Sequence, residues 1–139
     1  MTYAKKTKVT VDRSRAEIER LLHKHGADQF INGWDGDKAM IGFRMKARYI
    51  RFTLTLLPPK GMNSPSAIEQ NTRSRWRALA LVIKAKLEAV ETGIVSFDEE
   101  FLAHIVMPDS RTVGAHLVKS ITEAYATGKM QPLLPEYAP

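Results

Sequence analysis

Between Lys38 and Leu56 the chain sets Arg44, Lys46, Tyr49, Arg51, Thr53 and Thr55 at alternate positions of two strand-like segments. A period of two puts them on one face of an antiparallel pair. Cations held about 5 Å apart on adjacent strands repel unless water or an anion screens them. Such a face can follow a phosphate chain, with Tyr49 as a stacking platform for a base. The same pattern also describes an ordinary solvated sheet face, since one side of an antiparallel sheet is normally polar. A basic arm, Lys5, Lys6 and Lys8, precedes these segments. The candidate nucleic-acid-binding residues are therefore Lys5, Lys6, Lys8, Arg44, Lys46, Tyr49 and Arg51. The chain has no RNP consensus, helix-turn-helix signature or zinc finger, so sequence-specific readout is not supported.

Other reactive residue types have simpler roles. Asp98, Glu99 and Glu100 follow Ser96 in the first turn of a helix, where acids offset the helix dipole and cap free N–H groups. His104 and His116 stand on apolar-leaning helices without a Ser, Cys or Asp at a recognisable motif spacing, which reads as structural. His23 and His25, two apart on a helix, point roughly 160° away from each other and have no carboxylate at ligand spacing. The glycines of Gly33-Trp-Asp-Gly-Asp37 belong to no phosphate loop and make a turn. Trp34 beside them reads as core or rim, with an exposed stacking platform as the alternative. Without cysteine the chain has no disulfide, thiolate nucleophile or cysteine-based zinc site. The sequence reads as non-enzymatic, with no cofactor and no metal.

The charge is uneven. Residues 1–60 carry 13 Lys/Arg against 6 Asp/Glu, whereas residues 61–139 carry 8 against 9, so the first part holds the whole net excess of +6. Localised positive charge attracts polyanions, among which nucleic acid is common inside cells. A length of 139 residues with 44% apolar and 26% charged side chains fits one ordered domain, 1–139, with a real core. The N-terminus lacks the apolar stretch of a signal peptide, and the longest apolar run, Ala78–Ile83, is far too short to span a bilayer. These features point to a cytoplasmic protein with no membrane partner.

The elements that must hold the basic face follow from the same periodicities. Val9–Val11 reads as a short strand, and Ser14-Arg-Ala-Glu17 as a capping box opening a helix on Ile18, Leu21 and Leu22 that Gly26 ends. Asp28–Asp35, Lys38–Lys46 and Arg48–Leu56 make an antiparallel meander with turns at Asp35-Gly36 and Lys46–Arg48. Ala39, Ile41, Phe43 and Met45, with Ile50, Phe52, Leu54 and Leu56, form its apolar side. After a loop rich in Pro and Gly, residues Ser66 to Gly93 give a long helix. Trp76, Leu79, Ala80, Ile83, Leu87 and Val90 line one face of it, and Ala78, Val82, Ala85 and Ala89 form a second face of small residues. That pattern predicts a sheet against the first face and helices against the second. Ser96-Phe-Asp-Glu99 opens a short helix with Phe101, Leu102 and Ile105, and Thr112–Thr127 forms another that Gly128 stops. The tail reads as lying across the body through Leu133, Leu134 and Tyr137. The expected class is α+β, an antiparallel β-meander packed on a long central α-helix with shorter flanking helices. Its sheet-containing half is 1–57 and its helical half 66–139.

The stretch from Trp76 to Leu117, WRALALVIKAKLEAVETGIVSFDEEFLAHIVMPDSRTVGAHL, followed by GKMQPLLP, resembles a group of small uncharacterised phage- and prophage-encoded proteins. VDRSRAEIERLL and the GWDGD turn fit the same group more loosely. The chain departs from that pattern at Ser110, where the group has Gly, and at Ala115, where it has an acidic residue, so no site is carried over to that turn. The resemblance implies a phage setting, hence genome handling or interference with a host. Two partner classes follow: nucleic acid, single strands included, or a host protein held by an apolar patch of Trp34, Met40 and the tail. The sequence leaves the oligomeric state open.

Overall fold

Strict alternation along residues 38–56 leaves the backbone little choice. In the computed structural model, which describes residues 6–56, 61 and 63–134, it produces strands β1 (Gln29–Asp35), β2 (Lys38–Met45) and β3 (Arg48–Thr55) in an antiparallel meander of order β1-β2-β3. Lys5, Tyr137 and the prolines Pro58 and Pro59 of the connecting loop lie outside the described residues. The fold is α+β. Ala39, Ile41, Phe43, Met45, Ile50 and Phe52 are buried on the inner side of the sheet, as their spacing requires.

The β2–β3 turn is unusual. Lys46 (φ 51°) and Ala47 (φ 62°) both adopt the left-handed conformation without being glycine. Two left-handed residues match the twist of a two-residue hairpin, which is why Asn-Gly is preferred there. An L-residue with a Cβ loses about 1–2 kcal/mol in that region. Ala47→Gly is therefore expected to stabilise the protein by about 0.5–1 kcal/mol in urea denaturation, after allowing for the freer unfolded chain. An unchanged or lower stability would show that the turn is unstrained.

The first helix, α1, spans Val11–Lys24, and Thr10 caps it by accepting a hydrogen bond from the Arg13 N–H at 3.2 Å. Val9–Val11 is thus no strand, and Ser14 is no cap. Both Thr10 and Ser14 can cap, but starting at Thr10 adds a turn and lets Val11 pack against the core. Ser14 is consequently buried one turn inside the helix, its hydroxyl without a partner among the described residues.

The long helix α2 runs Pro65–Glu91, with Ser64 as its cap and Pro65 in its first turn. Trp76, Leu79, Ala80, Ile83 and Leu87 are buried in one cluster with the inner sheet residues, so the two halves of the chain share a core. The second face behaves otherwise than its composition suggests. Ala85 is exposed, and Ala78, Val82 and Ala89 are only half-buried. Helix α1 instead packs beside Arg77 and Glu91 of α2: Arg77 pairs with Glu17, His25 Nε2 meets Glu91 at 3.2 Å, and the Arg15 guanidinium carbon sits 5.0 Å from the Trp76 ring centroid. Alanine is the best helix former and loses little by facing water, so a row of small residues does not by itself demand cover.

A capping box at Ser96 and Glu99 opens the short helix α3 (Phe97–Phe101), continued by a 3₁₀ turn at Leu102–His104. The chain then runs along the free edge of β3, where the Val106 N–H donates to the Tyr49 carbonyl at 2.7 Å. Helix α4 (Val113–Thr127), capped by Thr112 and ended by left-handed Gly128, buries only Val113. The tail lies along α4, with Ser120 Oγ donating to the Leu133 carbonyl at 3.3 Å. Among the described residues no helix is long and apolar enough to cross a membrane.

Candidate nucleic-acid interface

Register decides which side chains share the open side of the sheet. Gln29, Arg44 and Tyr49 form one cross-strand row, Ile31, Gly42 and Arg51 the next, and Gly33, Met40 and Thr53 the third. Directly opposed residues of an antiparallel pair point to the same side. Arg44, Tyr49 and Arg51 are therefore brought together on the face turned away from the core. Lys46 stands apart from the rows, in the turn at their end.

The cations differ in how far they are already satisfied. Arg44 pairs with Asp28 at 2.5 Å, and its guanidinium carbon lies 6.0 Å from the Tyr49 ring centroid. Arg48, next to the turn, pairs with Asp98 at 3.2 Å. Among the described residues neither Arg51 nor Lys46 takes part in an ion pair. Those two are the charges left for an external anion. Lys6 and Lys8 are exposed but belong elsewhere: the Thr7 carbonyl between them accepts a hydrogen bond from Gln70 Nε2 of α2 at 2.9 Å, which holds the arm on the helical side of the molecule. Charge counting alone merges two separate basic regions.

Between the first two rows lies an open groove of about 220 Å³, with Ile31, Met40, Gly42, Tyr49, Arg51 and Val106 around it. Gly42 lets Ile31 lean over the sheet at one side of this groove, because a Cβ there would meet Ile31 Cγ1 at 3.3 Å. Its signal in the sequence is a glycine inside an otherwise alternating strand, which marks a close approach or a gap. Ile31 (61% exposed) and Tyr49 (54%) leave the rim apolar and accessible. Trp34 is also exposed, at 80%, but it pairs with Ala39 and so belongs to the core-side row at the edge strand. Met40 faces the other way, so Trp34 and Met40 do not build one patch.

Matching of this chain against protein-family models, curated proteins and solved structures finds no similar protein. Its chemistry rests on its own geometry.

Several other titratable groups brace the fold. Asp98, Glu99 and Glu100 are used by Arg48, by the Ser96 cap and by Lys86 respectively, the last at 2.9 Å. His25 engages both ring nitrogens, with the Leu21 carbonyl and Glu91, and so does not combine with His23 as a ligand pair. His116 Nε2 meets Asp109 at 2.7 Å across the turn before α4. Asp109 also accepts the Arg111 N–H, and that bond, ahead of His116, holds its carboxyl below the usual range. The contact is invisible to motif spacing because it needs the turn in which Ser110 takes φ 69°.

His104 stacks on Phe52, ring centroids 4.0 Å apart. Burial, then the nearby Lys86 charge, push its pKa below the ordinary value of 6.5. The unfolded chain therefore takes up this proton at higher pH than the folded one. Stability is unaffected well above 6.5 and declines as pH falls from 6.5 towards the folded pKa. Asp109 and Glu99, both lowered, add a second decline below their ordinary values of 3.8 and 4.5. His104→Leu is expected to flatten the first decline and leave the second, as read from urea midpoints between about pH 7.5 and 2.5. Identical profiles for the two proteins would remove His104 from the account.

Proposed function

We propose that this chain is a non-enzymatic, phage-type accessory protein, cytoplasmic in setting, that contacts nucleic acid through the outer face of its N-terminal sheet. One observation carries this reading: among the described residues Arg51 stands without an ion-pair partner beside a groove rimmed by Tyr49 and Ile31, and Lys46 stands equally unpaired in the turn at the end of the rows. An unpaired guanidinium on an exposed sheet face favours a polyanion, and an aromatic rim favours one that carries flat rings. The arm with Lys6 and Lys8, held on the other side, adds general attraction.

Binding of this kind should weaken steeply with salt, because each phosphate contact releases condensed counterions. If Lys46 and Arg51 each neutralise one phosphate while Arg44 stays with Asp28, the log–log salt slope on a single strand should have a magnitude of about 1.4, against about 2 were Arg44 to join. Fluorescence anisotropy with a labelled oligonucleotide measures it, and Lys46→Gln with Arg51→Gln should flatten it while the fold persists. No saturable binding at about 50 mM salt would sink the reading.

A second reading, a protein-binding inhibitor or modulator of a host defence or replication component, draws on a different surface. Val118, Ile121 and Tyr125 form an exposed apolar stripe along α4, at 66%, 43% and 88% exposure. Spacings of three and four residues place them on one side of the helix. Capture of one host protein from nuclease-treated lysate, abolished by Val118→Asp with Tyr125→Asp, would favour it.

A further inference from the structure

The groove at Gly42 is more specific than a basic face requires. Phosphate contacts need only accessible cations, yet here Ile31, Met40 and Val106 surround a gap, and a Cβ at Gly42 would press on the Ile31 side chain at its rim. We propose that this groove seats one unpaired nucleobase of a single-stranded nucleic acid, with an adjoining phosphate on Arg51 and the strand running on towards Lys46 in the β2–β3 turn. The inference rests on the nucleic-acid reading above and deepens it.

Three observations favour this occupant. The rim combines aromatic and aliphatic surface, Tyr49 with Ile31, Met40 and Val106, which suits the faces of a flat heterocycle. Polar groups stand at the same rim, the Gln29 amide and the Arg51 guanidinium, so that a base edge keeps hydrogen-bonding partners on leaving water. Finally, Arg44 is paired with Asp28 and its guanidinium carbon lies 6.0 Å from the Tyr49 ring centroid, so the ring already has a neighbour before any ligand arrives. A pre-set ring loses less rotamer freedom on stacking. A paired base in a duplex has both faces covered by its neighbours and cannot enter such a groove without being unstacked and flipped out. The groove therefore selects single strands. DNA and RNA share the base face, and nothing in the rim distinguishes their sugars.

The test compares labelled oligothymidylate and oligouridylate of about 15 nucleotides with an all-abasic strand of equal length and charge, and with a blunt duplex. At about 50 mM salt, at least one of the base-bearing strands is expected to bind roughly tenfold or more tightly than the abasic strand, and the duplex no better than the abasic strand. Gly42→Val should abolish that advantage and leave abasic binding and the salt slope unchanged. Ile31→Ala, at an exposed position that does not strain the backbone, should reduce the same advantage even if Gly42→Val fails to fold. Equal, salt-dependent binding of base-bearing and abasic strands would overturn the base seat while the phosphate-contact reading stood. Absence of saturable binding by every strand would overturn both.

Discussion

Phe101→Ala is expected to lower the unfolding free energy by about 3–5 kcal/mol, the largest loss for any single truncation outside the long helix. Phe101 is fully buried. Its ring meets Phe43 and Phe52 edge-on, with centroids 6.0 and 6.4 Å away, and stacks on Phe97 at 4.8 Å. Lys86 Nζ of α2 lies 5.7 Å from the same ring centroid while it bonds Glu100. One side chain therefore joins β2, β3, α3 and α2, and its removal leaves a cavity whose walls belong to four elements. Walls of that kind cannot collapse together, which puts the loss near the upper part of the range. Phe101→Leu should restore most of it, leaving a deficit of about 1 kcal/mol. Urea denaturation of the three proteins measures both; a deficit below about 1 kcal/mol for the alanine variant would show that the site relaxes freely.

That joint also shows where sequence periodicity succeeds. The alternation from Ala39 to Leu56 names the inner residues of β2 and β3, because a period of two has only one way to bury them. Trp76, Leu79, Ile83 and Leu87 are legible for the equivalent reason at 3.6 residues per turn. The two errors lie where the pattern is degenerate. Thr10 and Ser14 both offer a hydroxyl followed by helix formers, and only the packing of Val11 decides between them. The row Ala78, Val82, Ala85, Ala89 satisfies a buried face and an open one equally well, and here it is half-buried at three positions and exposed at Ala85.

The candidate site divides in a similar way. Arg44, Tyr49 and Arg51 share a face by alternation alone, so their grouping was readable. Whether each charge is free was not, since the pairing of Arg44 with Asp28 spans 16 residues and depends on the β1–β2 register. The assignment of Lys6 and Lys8 to a separate region depends on a bond between Thr7 and Gln70, 63 residues apart. The groove was marked only by Gly42, whose missing side chain acquires meaning once Ile31 is known to lie across from it.

Gly114→Val is expected to destabilise the protein by about 1–3 kcal/mol, and to do so locally. Glycine near the start of a helix is ordinarily less favourable than alanine by about 1 kcal/mol, so its presence in α4 calls for a compensating contact. The contact is with the 3₁₀ turn: a Cβ at Gly114 would stand 2.9 Å from the Ala103 carbonyl oxygen, a backbone atom held by its own turn. This is also the point at which α4 is anchored, because Val113 is the only residue of its 15 that is buried. Isolated helices of that length are marginal in water. Forcing α4 off the turn should therefore melt it while the sheet and α2 stay folded. Hydrogen exchange should show the amides from Leu117 to Ala126 losing protection while those of β2 keep theirs. Gly114→Ala separates the two contributions, since it gains helix propensity and meets the same oxygen. A more stable Gly114→Ala protein would mean that the turn yields easily and that α4 is held by other contacts, such as that of His116 with Asp109.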